Sequence, residues 1–370
     1  MSGGGAELAT AIGVISGTSM DGIDVALIRS DGRSQVETGP GATFPYPPEV
    51  TAELRAVVAE PERALQPLDE LEAAVTDAHV AAIEAFLDRF AVDRRTVTVV
   101  GMHGQTVLHR PRERFTRQLC DGRRAAAALH IDVVNDFRAA DVAAGGEGAP
   151  LVPLYHAAMS AGLERPLTLL NWGGVGNVTY LGPSGEIIAF DTGPANALID
   201  DFVARRRGLS HDEGGALAAA GRADQALVAR FMRDAFFDRP APKSLDRNHF
   251  HEVMRAVETL GDADGAATLA AFTVEATAAA IRHFPVPSER WLVCGGGRRN
   301  QTLMRALAER LAAQVEPIET IGFDGDVIEA QCFAYLALRS LQGLPLSLPT
   351  TTGAPHPLTG GVIWRAQGSG

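Results

Sequence analysis

Apolar positions along the chain follow two recurring patterns: short runs rich in β-branched residues, and longer stretches with apolar residues three and four apart. The short runs AIGVIS, IDVALIRS, TVTVVGMHG, IDVVND, LTLLNWGG, EIIAFDTG and RWLVCGGG each end in glycine or another turn former, and they predict strands. The longer stretches predict helices. In 68–90, Leu71, Val75, Val80, Ile83 and Leu87 recur near helical spacing with charges on the opposite side. Further helices are expected over 195–207, 263–284, 301–312 and 327–341. Strands and helices therefore alternate, which implies an α/β fold. A strand, glycine-containing loop, strand layout occurs twice, in AIGVISGTSMDGIDVALI and in LTLLNWGGVGNVTYL. That layout predicts two similar domains facing across a cleft, each with its hairpin loop at the same end of its own sheet. The boundary is expected in AADVAAGGEGAP, 139–150, where glycines cluster ahead of a new helix.

Length and charge narrow this picture. A chain of 370 residues suggests roughly two to three domains. With 46% apolar and 21% charged residues, the composition is that of a folded protein and argues against disorder. The 45 acidic and 33 basic residues give a net charge of −12, which argues against a nucleic-acid partner and against an anionic membrane surface. Any anionic ligand must be met locally. Cys120, Cys294 and Cys332 are too scattered for a zinc site and odd in number, so a reducing cytosol is expected rather than secretion. The stretch MSGGGAELATAIGVISG has no basic leader, and no apolar run approaches the roughly 18 residues of a membrane span. The expectation is a cytoplasmic protein without nucleic-acid or membrane partners.

The common nucleotide signatures are absent: there is no GxxxxGK[ST], and SGTSMDG does not make a GxGxxG. Phosphate can still be held without lysine. Consecutive N–H groups of a tight hairpin form an anion nest, Thr18 and Ser19 add hydroxyl donors, and Gly17 and Gly22 permit the geometry. Asp21 and Asp24 repel phosphate unless a divalent cation stands between, as magnesium does with ATP. The same residues also suit a plain hairpin turn, which is the competing reading. NWGGVGNVT (171–179) and CGGGRRN (294–300) likewise follow apolar strands, and the second leads into a helix whose N-terminus can face an anion. Strand exits that need positive φ are their competing reading. Three such loops at strand ends favour a shared nucleotide site.

Six segments, GVISGTSMDGIDVAL, GMHGQTVLHRP, DFRAADVAAGGEGAPLVP, NWGGVGNVT, FDTGPAN and CGGGRRN, occur in an order that resembles the anhydro-N-acetylmuramic acid kinases. That family lies in the superfamily of sugar kinases, heat-shock ATPases and actin, and the resemblance runs from about residue 13 to 355. It implies two ribonuclease-H-like domains flanking an ATP cleft, 1–140 with 345–370 returning to it, and 141–344. It also implies ATP and Mg2+ as cofactors and a homodimer. The implied activity is hydrolytic opening of the 1,6-anhydro ring of 1,6-anhydro-N-acetylmuramic acid, a cell-wall recycling sugar, coupled to phosphorylation of its 6-hydroxyl. The nucleotide set so implied is Gly17, Thr18, Ser19, Met20, Asp21, Gly22, Ile23 and Asp24, with Asn171, Gly173, Gly174, Asn177, Gly295, Gly296, Gly297 and Asn300, and Asp21 as metal ligand.

Ring opening requires water to attack the anomeric carbon, and the water needs a base. Asp191 ends the strand EIIAF and is placed to act as that base; the resemblance assigns the matching aspartate the same role. Capping the helix ANALIDDFVARRR is its competing reading, with Thr192 as a rival cap. His103, Gln105 and Thr106, expected just after the strand TVTVV, would meet the sugar, although a lone histidine is often structural. Arg138 suits a bidentate grip on a lactyl carboxylate, with an interdomain ion pair as the alternative, and Asp141 lies beside it near the expected boundary. Glu329 matches a family carboxylate on the sugar side; a solvated acid at a helix start is its alternative. Cys332, Phe333 and Leu336 are expected in the core.

Some positions depart from the family pattern. Glu147 stands where glutamine is typical, Ala195 and Cys120 take usual glycine positions, and PKSLDRNHF (242–250) replaces a PKSTGRE-type run. These leave room for a related anhydro or open sugar. A different class, an ATP-gated binding or assembly protein of the same fold, also fits the nucleotide loops. Asp191, HGQT and Arg138 favour the kinase.

Overall fold

The two strand, loop, strand stretches become the central hairpins of two separate sheets. A computed structural model describes residues 7–17 and 20–366. In it the chain divides into one unit up to Ala161 that resumes at Val327, and a second unit, Gly162–Asp326.

In the first unit β1 (Ala9–Ser16) and β2 (Ile23–Ser30) pair antiparallel with Gly13 opposite Ala26, and β3 (Val36–Phe44) extends the meander. Helices α1 (Pro48–Ala59) and α2 (Asp69–Arg89) follow. Helix α2 carries Asp69, Glu70 and Glu72 in its first turn and Arg89 in its last, charges that complement the helix dipole. Its buried face includes Leu71, Val75, Ile83 and Leu87 of the expected stripe, while Val80 is only partly buried against the same core. Strand β4 (Val97–Arg110) then runs parallel to β1, β5 (Phe115–Leu119) folds back on its far end, and after α3 (Gly122–Leu129) β6 (Val133–Asn135) adds parallel to β4. Helices α4 (Ala139–Ala144) and α5 (Pro153–Met159) close this part of the unit.

The second unit repeats the plan. Strands β7 (Leu167–Trp172), β8 (Val175–Leu181) and β9 (Ile187–Pro194) form an antiparallel meander. After α6 (Asn196–Arg207) and α7 (Asp262–Ala278), β10 (Arg290–Cys294) lies parallel to β7, and α8 (Gln301–Leu311) leads to the parallel β11 (Gln314–Pro317). The strand orders are β6-β4-β1-β2-β3, with one more strand still to come beside β6, and β11-β10-β7-β8-β9. Each sheet thus sets a three-strand meander beside two parallel strands, a shared order that the sequence only hints at.

The chain returns to the first unit as α9 (Ile328–Leu341) and the short strand β12 (Val362–Trp364), which pairs with β6. Helix α9 lies backbone to backbone on the sheet: a Cβ on Gly13 would stand 1.8 Å from the Ala330 carbonyl oxygen, and one on Gly101 would stand 2.0 Å from that of Phe333. Only glycine allows that approach. Its small residues Ala330, Ala334 and Ala337 and its larger Phe333 and Leu336 are all buried.

Two expectations change. The boundaries fall at 161/162 and 326/327 rather than at 140/141 and 344/345, because α9 packs on β1, β2 and β4, and 139–161 stays with the first unit. The GGEGAP glycines form a turn inside that unit, with φ of 99° at Gly145 and 66° at Gly148. The GMHGQT motif does not follow the strand but lies within it, since β4 continues to Arg110 past an irregularity at Gly104, φ 73°. Among the described residues no helix is long and apolar enough to cross a membrane.

The backbone packing of α9 makes a direct prediction. Gly101→Ala should lower stability by about 2–4 kcal/mol in urea unfolding, whereas Gly162→Ala, with nothing within 4 Å of a new Cβ, should be close to neutral. Equal stabilities for the two variants would show that the helix yields freely.

Candidate active site

The hairpin between β1 and β2 is built by its backbone. Met20 adopts φ 57° and donates its N–H to the Gly17 carbonyl at 3.1 Å. Its side chain and that of Ile23 are buried, so neither can address a ligand. Asp21 is exposed, while Asp24, opposite Ile15 in β2, accepts the Thr43 hydroxyl at 2.6 Å. Thr18 and Ser19 lie outside the described residues. Gln105, expected at the sugar, is buried beneath this loop and donates from Nε2 to the Gly17 carbonyl at 3.3 Å. Thr106 accepts a hydrogen bond from Gln118 Nε2 at 3.3 Å.

In the second unit two loops meet because β7 and β10 are neighbours. Gly295 has φ 70°, and a Cβ there would stand 2.3 Å from Asn171 Oδ1 and 2.7 Å from the Trp172 carbonyl. The carbonyls of Gly173 and Gly174 accept the N–H groups of Asn196 and Ala195, both at 3.0 Å, and thereby cap α6. Asn177 lies in β8 opposite Asn171 and Asp191. Asn300 Oδ1 accepts the Leu303 N–H at 3.0 Å, which caps α8.

Beside these loops opens a cavity of about 500 Å³ walled by Asn196 and Asp200 of α6, the 210–214 turn, Gly296, Arg299 and Asn300. Sequence reasoning found Gly296 and Asn300 but missed Asn196, Asp200 and the turn SHDEG. The available signal was the glycine pair after an acidic turn. Gly215, φ 76°, packs so closely on the start of α8 that a Cβ would stand 2.1 Å from Asn300 Oδ1. Burial pushes the Asp200 carboxyl up to about 6, with His211 opposing the shift.

Asp191 sits in β9 and is fastened from two sides. Its N–H donates to the Lys243 carbonyl at 2.9 Å, and its Oδ2 accepts the Leu245 N–H at 2.8 Å. It does not cap α6, whose cap position is Ala195 with no side-chain bond. Both holding groups come from PKSLDRNHF. The departure from threonine at Leu245 therefore leaves the bond intact, because a backbone amide supplies it. Lys243 anchors that segment, its Nζ donating to the Phe236 and Phe237 carbonyls at 3.1 and 3.3 Å. Burial, reinforced by Arg282 and Arg239, lowers its amine to about 8. The Ala195 methyl is fully buried in the core, so it does not press on a ligand.

In the first unit His103 and Arg138 form a pair. The His103 ring is buried, its Nδ1 donating to the Gly104 carbonyl at 2.9 Å and its Nε2 lying 2.9 Å from Arg138 Nε. Burial and the guanidinium charge hold His103 well below its ordinary value, so it is neutral. Arg138 also donates from Nη1 to the Gly148 carbonyl at 2.7 Å, and it lies over the Phe333 ring. Among the described residues it enters no ion pair within 4.0 Å. Glu329, in the first turn of α9, keeps access to solvent, yet the protein around it raises its carboxyl against the pull of Arg138. Asp141 is turned inward: Oδ2 accepts the Gly148 N–H at 2.7 Å, and Oδ1 accepts the hydroxyls of Thr352, at 2.7 Å, and Ser347. That carboxylate ties the GGEGAP turn to 347–352. Cys120 is buried, and its carbonyl accepts Asn135 Nδ2 at 2.7 Å.

The sequence profile of anhydro-N-acetylmuramic acid kinases matches residues 9–366. The anhydro-N-acetylmuramic acid kinase of Rhodospirillum rubrum is 51% identical over 96% of this chain and 94% of its own length, and that of Acidiphilium cryptum is 51% identical over 96% and 98%. The chain belongs to the anhydro-N-acetylmuramic acid kinase family. As a member of that family it is a phosphotransferase with a sugar hydroxyl as acceptor and ATP as donor. Among solved structures, component A of (R)-2-hydroxyglutaryl-CoA dehydratase from Acidaminococcus fermentans is similar at a TM-score of 0.50, with 12% identity over 90% of this chain and 99% of that one. This likeness concerns the fold, mixed α/β in two domains.

Asp200 offers a test of the cavity's electrostatics. A carboxyl whose folded value lies above its unfolded one binds its proton more tightly in the fold, so stability falls as pH rises from roughly 4, the ordinary aspartate value, through about 6, and stays reduced above. Asp200→Asn should therefore raise Tm at neutral pH and leave it unchanged below roughly pH 4. A lower Tm for the variant at neutral pH would mean that the carboxylate is stabilised in place.

Proposed function

We propose that this kinase opens the 1,6-anhydro ring of 1,6-anhydro-N-acetylmuramic acid with water and phosphorylates the released 6-oxygen from ATP, giving N-acetylmuramic acid 6-phosphate for cell-wall recycling. The observation that carries the reading is the Asp191 carboxylate, held by the Leu245 amide within the FDTGPAN segment of a chain that belongs to this family. Fixed in this way, Asp191 takes a proton from water as its oxygen bonds to the anomeric carbon. The bond from that carbon to the 6-oxygen breaks, and the 6-oxygen attacks the γ-phosphorus, with ADP as leaving group.

The cavity of about 500 Å³ suits the nucleoside. The N–H groups of the β1–β2 hairpin suit phosphate, since no lysine is offered there. Magnesium would be held by Asp21, exposed on that hairpin. Among the described residues no group of three or more His, Cys, Asp or Glu side chains is placed to hold a metal, which fits a cation that takes most of its ligands from phosphate and water. When bound it neutralises charge on the phosphoryl oxygens. Arg138, with donors beyond those given to His103 and Gly148, suits the lactyl carboxylate, and Glu329 beside it suits sugar hydroxyls.

Turnover in oxygen-18 water decides between ring opening and simple phosphorylation. The 6-phosphate product should carry the label at its anomeric oxygen; phosphorylation of open sugars alone would reduce the protein to an ordinary sugar kinase. Asp191→Asn should cut kcat by about 10³-fold with ATP binding retained, and an unimpaired variant would remove Asp191 from the chemistry. The family resemblance also favours a cytoplasmic homodimer. Light scattering from the purified protein should give twice the 39.0 kDa of one chain, and a mass of one chain would exclude the dimer.

A further inference from the structure

We propose that His103 is a positioning residue for Arg138 that does not itself touch the sugar: its unprotonated Nε2 accepts the Arg138 Nε–H and thereby turns the terminal Nη1/Nη2 edge of the guanidinium to the substrate carboxylate. This rests on the reading of Arg138 as the carboxylate grip. Both ring nitrogens of His103 are committed. Arginine can only donate, so the 2.9 Å separation from Arg138 Nε makes His103 Nε2 the acceptor. The ring's single proton is then on Nδ1, where the Gly104 carbonyl receives it at 2.9 Å. With 4% of its surface exposed, the imidazole has no further polar atom to offer a sugar.

Its surroundings hold the ring in this pose. Phe333 of α9 lies 4.5 Å from the His103 ring, centroid to centroid, and Phe137 packs on Phe333 at 5.2 Å. A protonated ring would lose its acceptor and set a second cation against the guanidinium. Of the five N–H donors of Arg138, His103 takes the one on Nε and Gly148 takes one on Nη1. Two edges of a guanidinium can grip a carboxylate in bidentate fashion, and His103 closes the one that includes Nε. One N–H on Nη1 and both on Nη2 remain, with Glu329 and Cys332 the charged and titratable neighbours that bear most on the guanidinium.

The test compares 1,6-anhydro-N-acetylmuramic acid with 1,6-anhydro-N-acetylglucosamine, which lacks the lactyl acid, each measured as substrate or as competitive inhibitor. His103→Leu should raise KM for the acidic sugar roughly 10- to 100-fold, with kcat, KM for ATP and the constant for the neutral sugar changed less than about threefold. His103→Gln, whose amide oxygen can accept the Nε–H, should recover most of the loss. A fall in kcat on both sugars with KM unmoved would place His103 at the reacting atoms and overturn the proposal. Arg138→Met tests the underlying reading separately: it should abolish the preference for the acidic sugar, and a preserved preference would sink the grip and the proposal with it. If His103→Leu fails to fold, the histidine nitrogen-15 spectrum of the unaltered protein still decides. It should show a bare Nε2 and a protonated Nδ1 across neutral pH, and a proton on Nε2 would refute the assignment.

Discussion

The first unit depends on one close approach, that of α9 to the sheet at Gly13 and Gly101. Nothing larger than hydrogen fits at either position, so the helix backbone rests directly on β1 and β4. Its rotation is thereby set, and with it the placement of every side chain it carries toward the motif residues of β4. Phe333 is set against His103 and Arg138, and Glu329 stands at the start of the same helix within reach of the arginine's field. A polar pair in a largely apolar setting is costly unless each member is satisfied. The interlocking of imidazole, guanidinium and two carbonyl oxygens meets that requirement while leaving part of the guanidinium unspent.

The second unit uses main-chain groups in the same economical way. Carbonyls of the β7–β8 loop cap α6, the Asn300 side chain caps α8, and two backbone groups from a single irregular segment hold Asp191. Sequence drift in that segment can therefore be tolerated as long as no proline removes the Leu245 amide. This explains how PKSLDRNHF can diverge from the usual run without disturbing the aspartate.

The alternation of strands and helices was legible because its long elements are strongly periodic. Helix α2 and α9 match their expected spans to within a residue or two, and the two hairpins emerge as the cores of two sheets with one strand order. What the sequence hid is of a different kind. Strand β3, VETGPGATF, lacks apolar alternation because it is an edge strand with no fully buried position. The domain boundary was misplaced because glycine clusters mark tight turns as readily as linkers, and an apolar helix does not reveal which sheet it covers. At the candidate site, motif membership does not separate side chains that face open space from those bracing the fold. Gln105 and Asp141 are spent on internal hydrogen bonds, whereas Asp200 and the 210–214 turn wall a cavity with no motif to announce them. Such distinctions depend on direction and burial, which spacing along a chain does not encode.

The discontinuity of the first unit has a consequence for synthesis. Residues up to 161 leave the ribosome long before α9, so the face of β1 and β4 that this helix will cover stays bare while the whole of Gly162–Asp326 is being made. The uninterrupted unit can mature during translation, since its strands and their partners all lie within one stretch of chain. The earlier-born unit must wait, its apolar sheet open to chaperones or to premature association until the segment from Val327 onward arrives. Birth order and completion order are thus reversed in this protein.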